Sequence, residues 1–214
     1  MPLPSDEMKP VGKGHRWFAA MYDVLTQGLE RKALRDLRRR IVGGARGRVL
    51  EIGVGTGASL PFYLAVEQIV AAEPDPYMLR KTRRRAARLG LNVEVHQYPA
   101  EALAFPDASF DTVVSTLVLC TVKDQREALR EVRRVLKAGG QFRFIEHVRG
   151  GRFLGPIHDL ISPVWQWFGA GCHPNRKTLE ALEEEGFEVL ELERRRFLLL
   201  PLIAGIAKST EERR

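Results

Sequence analysis

The chain has 214 residues, enough for one domain with a sizeable core and little more. Hydrophobic residues make up 44 % and charged residues 29 %, ordinary for a globular protein, and the longest apolar run, Phe197 to Ala207, is broken by Pro201 and too short to cross a bilayer. The formal charge of +7 is concentrated in arginine clusters such as Arg38-Arg39-Arg40, Arg83-Arg84-Arg85 and Arg194-Arg195-Arg196. No aromatic–basic ladder accompanies them, so solvated helix faces explain them better than a nucleic-acid surface. A basic face also suits peripheral contact with an anionic membrane. Met1 to Lys9 has no secretory signal pattern, and two cysteines, Cys120 and Cys172, make no disulfide framework, so a reducing cytoplasm is the expected compartment.

In chain order, residues 1–14 are rich in proline and glycine and read as a loose arm. From His15 to Arg40 the spacing of Trp17, Phe18, Met21, Tyr22 and Leu25, and then of Leu29, Ala33, Leu34 and Leu37, predicts two amphipathic helices ended by Gly43-Gly44. Arg48 to Ile52 reads as a buried strand. A glycine-rich loop follows, then a short helix broken near Pro61. Gln68 to Ala72 predicts a second strand ending at Glu73. Asp75 is a helix cap before Pro76, and a helix over 77–89 stops at Gly90. Strands are expected over Asn92–Gln97, Phe110–Ser115 and Gln141–Val148. An amphipathic helix spans Asp124–Lys137, with Gly139-Gly140 as its stop. Residues 152–173 are rich in Phe, Leu, Ile and Trp. A helix over Asn175–Glu185 ends at Gly186, and Phe187–Leu192 and Phe197–Ala207 are the last strands. Alternating strands and helices imply an α/β fold with a mostly parallel sheet and helices on both faces. The closing helix–strand–strand implies an antiparallel edge hairpin.

The most informative stretch is Val49-Leu50-Glu51-Ile52-Gly53-Val54-Gly55-Thr56-Gly57-Ala58. Strand, glycine loop and helix open a nucleotide-binding fold, with glycine where the backbone turns sharply or meets a ligand. Two readings stay open at this point. Gly53-x-Gly55-x-x-Ala58 fits a dinucleotide fingerprint of NAD-dependent oxidoreductases, whereas Glu51 with Gly53, Gly55 and Gly57 resembles motif I of class I S-adenosylmethionine (SAM) methyltransferases. Glu73, at the end of the second strand, would accept hydrogen bonds from ribose hydroxyls in either case.

The stretch from Pro99 to Asp111, with Phe105-Pro106-Asp107-Ala108-Ser109-Phe110-Asp111, also resembles the class I SAM methyltransferases. That resemblance spans roughly residues 17–207 and implies a single domain over 1–214 with a seven-stranded sheet. It also implies SAM as cofactor with S-adenosylhomocysteine as product, helices over 15–42 covering the cofactor, and a substrate lid over 150–173. Carried over residue by residue, it makes Glu51, Gly53, Gly55, Gly57 and Glu73 cofactor residues. Ala100 and Glu101 become adenine contacts, Thr116 and Leu117 neighbours of the methionine moiety, and Tyr22 a residue closing the site. Within this superfamily, Ser115 to Val122, Leu129 to Gly140, Phe144 to Val148, Gly171-Cys172 and Arg176-x-Thr178 resemble the methyltransferase-like seven group of thiol S-methyltransferases. Tyr22-Asp23 and the glycine loop are also similar to bacterial phosphatidylethanolamine N-methyltransferases, and quinone C-methyltransferases share the layout. One departure is that the thiol-methylating group carries an N-terminal membrane-anchoring hydrophobic segment that this chain lacks.

Methyl transfer is in-line displacement at an electrophilic sulfonium carbon, so the protein mainly aligns the nucleophile and excludes water. A thiol or phenol acceptor needs deprotonation, and His147, ending the fifth strand at the carboxyl edge, is either that base or a structural histidine. Cys120, Trp165 and His173 are expected to line the pocket of a small-molecule or lipid acceptor, the apolar content of 153–170 implying an apolar one. Cys172-His173 lacks partners in the sequence, and no metal is expected. A SAM-binding protein without catalysis remains the alternative from another class, and oligomeric state is open.

Overall fold

The computed structural model describes residues 31–168, 172–197 and 200–210. The arm over 1–14, the first N-terminal helix and Tyr22 lie outside them. The described elements are α1 (Arg31–Ile41), β1 (Gly47–Ile52), a 3-10 turn (Leu60–Phe62), β2 (Val66–Ala72), α2 (Pro76–Leu89), β3 (Val93–His96), β4 (Phe110–Thr116), α3 (Gln125–Val135), β5 (Leu136–His147), α4 (Leu154–Phe168), α5 (Thr178–Glu184), β6 (Phe187–Phe197) and β7 (Leu200–Ser209). They build a seven-stranded sheet in the order β3-β2-β1-β4-β5-β7-β6. The first five strands are parallel; β7 runs antiparallel between β5 and β6.

The parallel strands read as continuous apolar runs because helices cover both faces. Leu50, Ile52, Val113, Phe142 and Phe144 join α3 residues Leu129, Val132 and Val135 in the main core. Across the sheet, Val49, Ile69 and Val114 pack with Leu60 and Ala86, while Leu34, Leu37 and Ile41 of α1 cover Ile145, Leu202 and Ala204. The α2 ends follow the sequence. Asp75 caps the Tyr77 and Met78 amides, Pro76 occupies the first turn, and Gly90 closes the helix in the left-handed region at φ 66°.

One boundary differs. The helix expected to run to Lys137 and stop at Gly139-Gly140 ends at Val135, and β5 already begins at Leu136. Leu136 is extended (φ −70°, ψ 137°) and pairs with Phe110, so sheet pairing of a buried leucine ends the helix before the glycines are reached. The last strands also differ. β6 continues to Phe197 and β7 starts at Leu200, because the arginine run 194–196 belongs to a sheet edge rather than a turn.

Candidate functional site at the carboxyl edge of the sheet

The topology reverses between β1 and β4: from β1 the chain steps outward to β2 and β3, then returns to the other side. A crevice forms at such a switch point, outside the carboxyl ends of the strands. The glycine loop sits there. Gly53, Gly55 and Gly57 all have positive φ (55°, 56° and 75°). Their surroundings differ. A Cβ on Gly53 would strike Val118 at 2.5 Å and one on Gly57 would press on Leu60 at 2.9 Å, whereas one on Gly55 meets nothing nearer than the Gly53 carbonyl at 3.9 Å. Gly55 therefore faces open space, the cradle a ligand needs.

The loop is held from both sides. The Gly55 amide donates to Glu73 Oε2 at 3.0 Å and Thr82 Oγ1 donates to the Gly55 carbonyl at 2.6 Å. Glu73 Oε1 accepts the Asp75 amide at 2.9 Å. Burial pushes the Glu73 carboxyl up, while the Asp75 and Gly55 amides hold it down. Each of its oxygens keeps a further lone pair for a ribose hydroxyl. Glu51 turns inward instead. It is buried, accepts from the Tyr63 hydroxyl at 3.0 Å, and burial pushes it up to about 7 against hydrogen bonds from Ser59 and Tyr63. It braces the start of the loop from beneath.

Ala100 is buried in the core, and Glu101 accepts the Lys123 amide at 2.8 Å. Arg134 fixes this side of the crevice, donating to the carbonyls of Leu103 and Phe105 and to the carboxylates of Glu131 and Asp107. Past β4 the chain turns through Leu117, at φ 60° one of only two described non-glycine residues with positive φ. Glu146 holds that turn. Its carboxylate accepts from Ser115 Oγ at 2.6 Å, the Val118 amide at 3.1 Å and the Cys120 amide at 3.4 Å, and burial pushes it up to about 7. The sequence offers Glu146, beside His147, either as a partner polarising that imidazole or as an acceptor of backbone amides, and the fold shows the amides.

Two buried side-chain atoms here lack a hydrogen-bond partner among the described residues: Thr116 Oγ1 on the last residue of β4 and His147 Nε2 on the last residue of β5. Unpaired buried polar atoms are costly and rare, so both mark a place for something bound. Cys120 and Cys172 lie beside His147, with Cys172 Sγ 3.9 Å from His147 Nδ1. The neighbouring Cys172 thiol and then burial raise the Cys120 thiol well above its ordinary value. His173 donates its amide to the Cys120 carbonyl at 2.7 Å and lines a cleft of about 650 Å³ with Lys123, Asn175 and Arg176. Trp165 is carried by α4, and its side chain lies outside the described residues.

With this geometry in view, the relatives decide. Residues 50–144 match the family model described as a methyltransferase domain. A human thiol S-methyltransferase, TMT1B, is 36 % identical over 190 residues, covering 83 % of this chain and 78 % of that protein. The chain belongs to the SAM-dependent methyltransferase family. A phosphatidylethanolamine N-methyltransferase from Cereibacter sphaeroides is 33 % identical over 154 residues, covering 71 % of the chain and 73 % of its own length. A solved SAM-dependent methyltransferase from Thermotoga maritima shares the fold at TM-score 0.65 and 24 % identity, over 90 % of this chain and 98 % of that one. The NAD reading of the glycine loop is thereby set aside, and SAM is the cofactor of this methyltransferase. The open side of Gly55, the Glu73 carboxylate and the unpaired Thr116 hydroxyl suit such a cofactor.

Proposed function

We propose that this methyltransferase transfers a methyl group from SAM to a small apolar thiol. The reading is carried by the buried group of Cys120, His147 and Cys172 at the ends of β4 and β5, a desolvated, polarisable seat for a soft nucleophile. The similarity to the human thiol S-methyltransferase supports it. Glu73 takes the ribose, Ala100 and Glu101 border the adenine, and Thr116 and Leu117 border the methionine moiety, with Gly53, Gly55 and Gly57 clearing its path. Tyr22 of the N-terminal segment closes the site. Cys120 and His173 border the acceptor side, His147 attends the acceptor sulfur, and Trp165 is assigned to the acceptor pocket by its place on α4 alone. Methyl transfer breaks the sulfonium carbon–sulfur bond, its electron pair passing to the departing S-adenosylhomocysteine sulfur as the thiolate forms the new bond. Alignment and exclusion of water are the protein's main contributions.

A second reading rests on α4 and the turn before it. Phe153 and Leu160 are 86 % and 81 % exposed and Ile157 is half-exposed, on one side of a helix flanked by Arg149 and Arg152. Arg149 is paired with Asp159, which leaves Arg152 as the cation beside these apolar side chains, an arrangement that suits peripheral contact with an anionic membrane and hence a phospholipid amine acceptor. No helix among the described residues is long and apolar enough to cross a membrane. Transfer of labelled methyl from SAM to an alkyl thiol, run beside phosphatidylethanolamine vesicles, separates the two. Label on the thiol is expected. Label confined to the lipid overturns the thiol reading, and no transfer to either, with SAM bound, returns the acceptor to open.

A further inference from the structure

Three soft-metal donors converge at the carboxyl edge of the sheet from three parts of the chain: the turn after β4, the last residue of β5, and the segment before α5. The donor atoms of Cys120, His147 and Cys172 all lie within 4.8 Å of one another, and all three residues are buried. His147 is 7 % exposed, and its Nε2 has no hydrogen-bond partner among the described residues. His147 meets the thiols through its other ring nitrogen, Nδ1, 3.9 Å from Cys172 Sγ, and a cation held by one imidazole nitrogen and two sulfurs accounts for three buried donors converging where hydrophobic packing alone does not. Thiolate and imidazole donors select zinc-like ions over magnesium or calcium.

We propose that Cys120, His147 and Cys172 bind one zinc ion whose fourth position receives the acceptor sulfur. Tetrahedral zinc at about 2.3 Å from sulfur and 2.0 Å from nitrogen places its donors about 3.5–3.8 Å apart. The Cys172–His147 pair already stands at 3.9 Å. Donors within 4.8 Å of one another need to close by at most about 1.3 Å. Three protein ligands with one open position is the arrangement of catalytic rather than structural zinc. His173, which follows Cys172 in the chain and donates its amide to the Cys120 carbonyl, lines the neighbouring cleft.

The inference rests on the thiol reading and deepens it. Zinc binding releases the two cysteine protons. The acceptor thiol then binds at the open position and loses its proton to solvent, since a coordinated thiol is deprotonated outright. Three thiolates on one divalent cation leave the acceptor sulfur electron-rich, facing the cationic sulfonium. That sulfur attacks the methyl carbon, the SAM carbon–sulfur bond breaks with its electrons going to S-adenosylhomocysteine, and the neutral thioether, a poor ligand, departs. His147 thus serves as a ligand that holds the metal, and proton removal does not depend on a free imidazole.

Cobalt(II) as a spectroscopic stand-in for zinc tests this without methyl transfer. The reduced full chain should take up one cobalt per chain, show thiolate-to-metal charge-transfer absorption, and lose both in Cys120→Ser and in Cys172→Ser. Adding an alkyl thiol without SAM should intensify that absorption. Zinc should also raise the melting temperature of the wild-type chain, a measurement that needs no variant. Absence of uptake, uptake unchanged in both variants, a spectrum unmoved by thiol, or a Cys120–Cys172 disulfide in place of the metal would each overturn the proposal. If metal uptake fails while labelled methyl still reaches the thiol, the zinc site falls and the thiol reading stands. If uptake and thiol binding succeed but the label reaches only lipid, the thiol reading fails and the acceptor role of the metal fails with it.

Discussion

The Gly55 amide donates to Glu73 Oε2 at 3.0 Å, so the carboxylate we propose for the ribose also fastens the glycine loop. Glu73→Ala removes both functions at once. It also leaves the Gly55 and Asp75 amides without their acceptor. SAM affinity is expected to fall at least tenfold, about 1.4 kcal/mol, by calorimetric titration. Unchanged affinity would remove Glu73 from the cofactor site.

Gly55→Ala isolates the cradle. Its added methyl meets no protein atom nearer than 3.9 Å, so the folded state is burdened only by the left-handed φ of 56°. That strain costs about 1–2 kcal/mol. The same methyl enters the open side of the loop that we propose faces SAM, and SAM binding is expected to weaken by more than the loss of stability explains. Denaturant titration and SAM binding on one preparation check both halves. A larger β-branched residue is a poorer probe, because the same φ strains it more.

Glu51 gives the protein a pH dependence of stability. Its carboxyl rises from an ordinary 4.5 to about 7 in the folded state, chiefly through burial. For a group whose folded value is raised, its contribution is fully present below the unfolded value and is lost as pH climbs through the folded one. Stability should therefore fall between pH 4.5 and about 7, by up to about 3 kcal/mol. Glu51→Gln, which keeps the shape but cannot ionise, should reduce that slope in urea unfolding at pH 5 and pH 8, leaving the share contributed by Glu146. An equal slope in both proteins would place the dependence elsewhere.

Arg134 ties the loop from Leu103 to Asp107 onto α3 through two carbonyls and two carboxylates. Arg134→Ala orphans those acceptors, and a loss of about 1–3 kcal/mol is expected. If the loop borders the adenine side, as we propose, the KM for SAM should rise with kcat nearly unchanged. A fall in kcat alone would argue that the loop acts on the acceptor instead.

Much of this was legible in the residues themselves. The glycine loop, the Asp75 cap and the Gly90 stop are local features, each decided by backbone chemistry within a few positions. The end of α3 was not, because Leu136 leaves the helix to pair with Phe110 on another strand, and no periodicity within the helix carries that information. The cluster around His147 was less legible still. Cys172 is joined in sequence to His173, which drew attention as its partner. In the fold His173 bonds to the Cys120 carbonyl, and the imidazole beside the Cys172 sulfur is that of His147. Only the strand order brings Cys120, His147 and Cys172 to one place.

β6 forms one margin of the sheet, with one side of its backbone left unpaired among the described residues. Such a strand is a template for another chain to add to. Here it carries Glu191, Glu193, Arg194 and Arg195, with Leu192 between the two glutamates. Arg40 from α1 reaches across to Glu191 and Glu193, and Arg195 turns back onto Glu193. An incoming strand would have to strip water from these charges and break their pairings. The arginine-rich tail of β6 thereby acts as a guard against aggregation, a service to the solubility of the folded chain that is independent of any anionic partner.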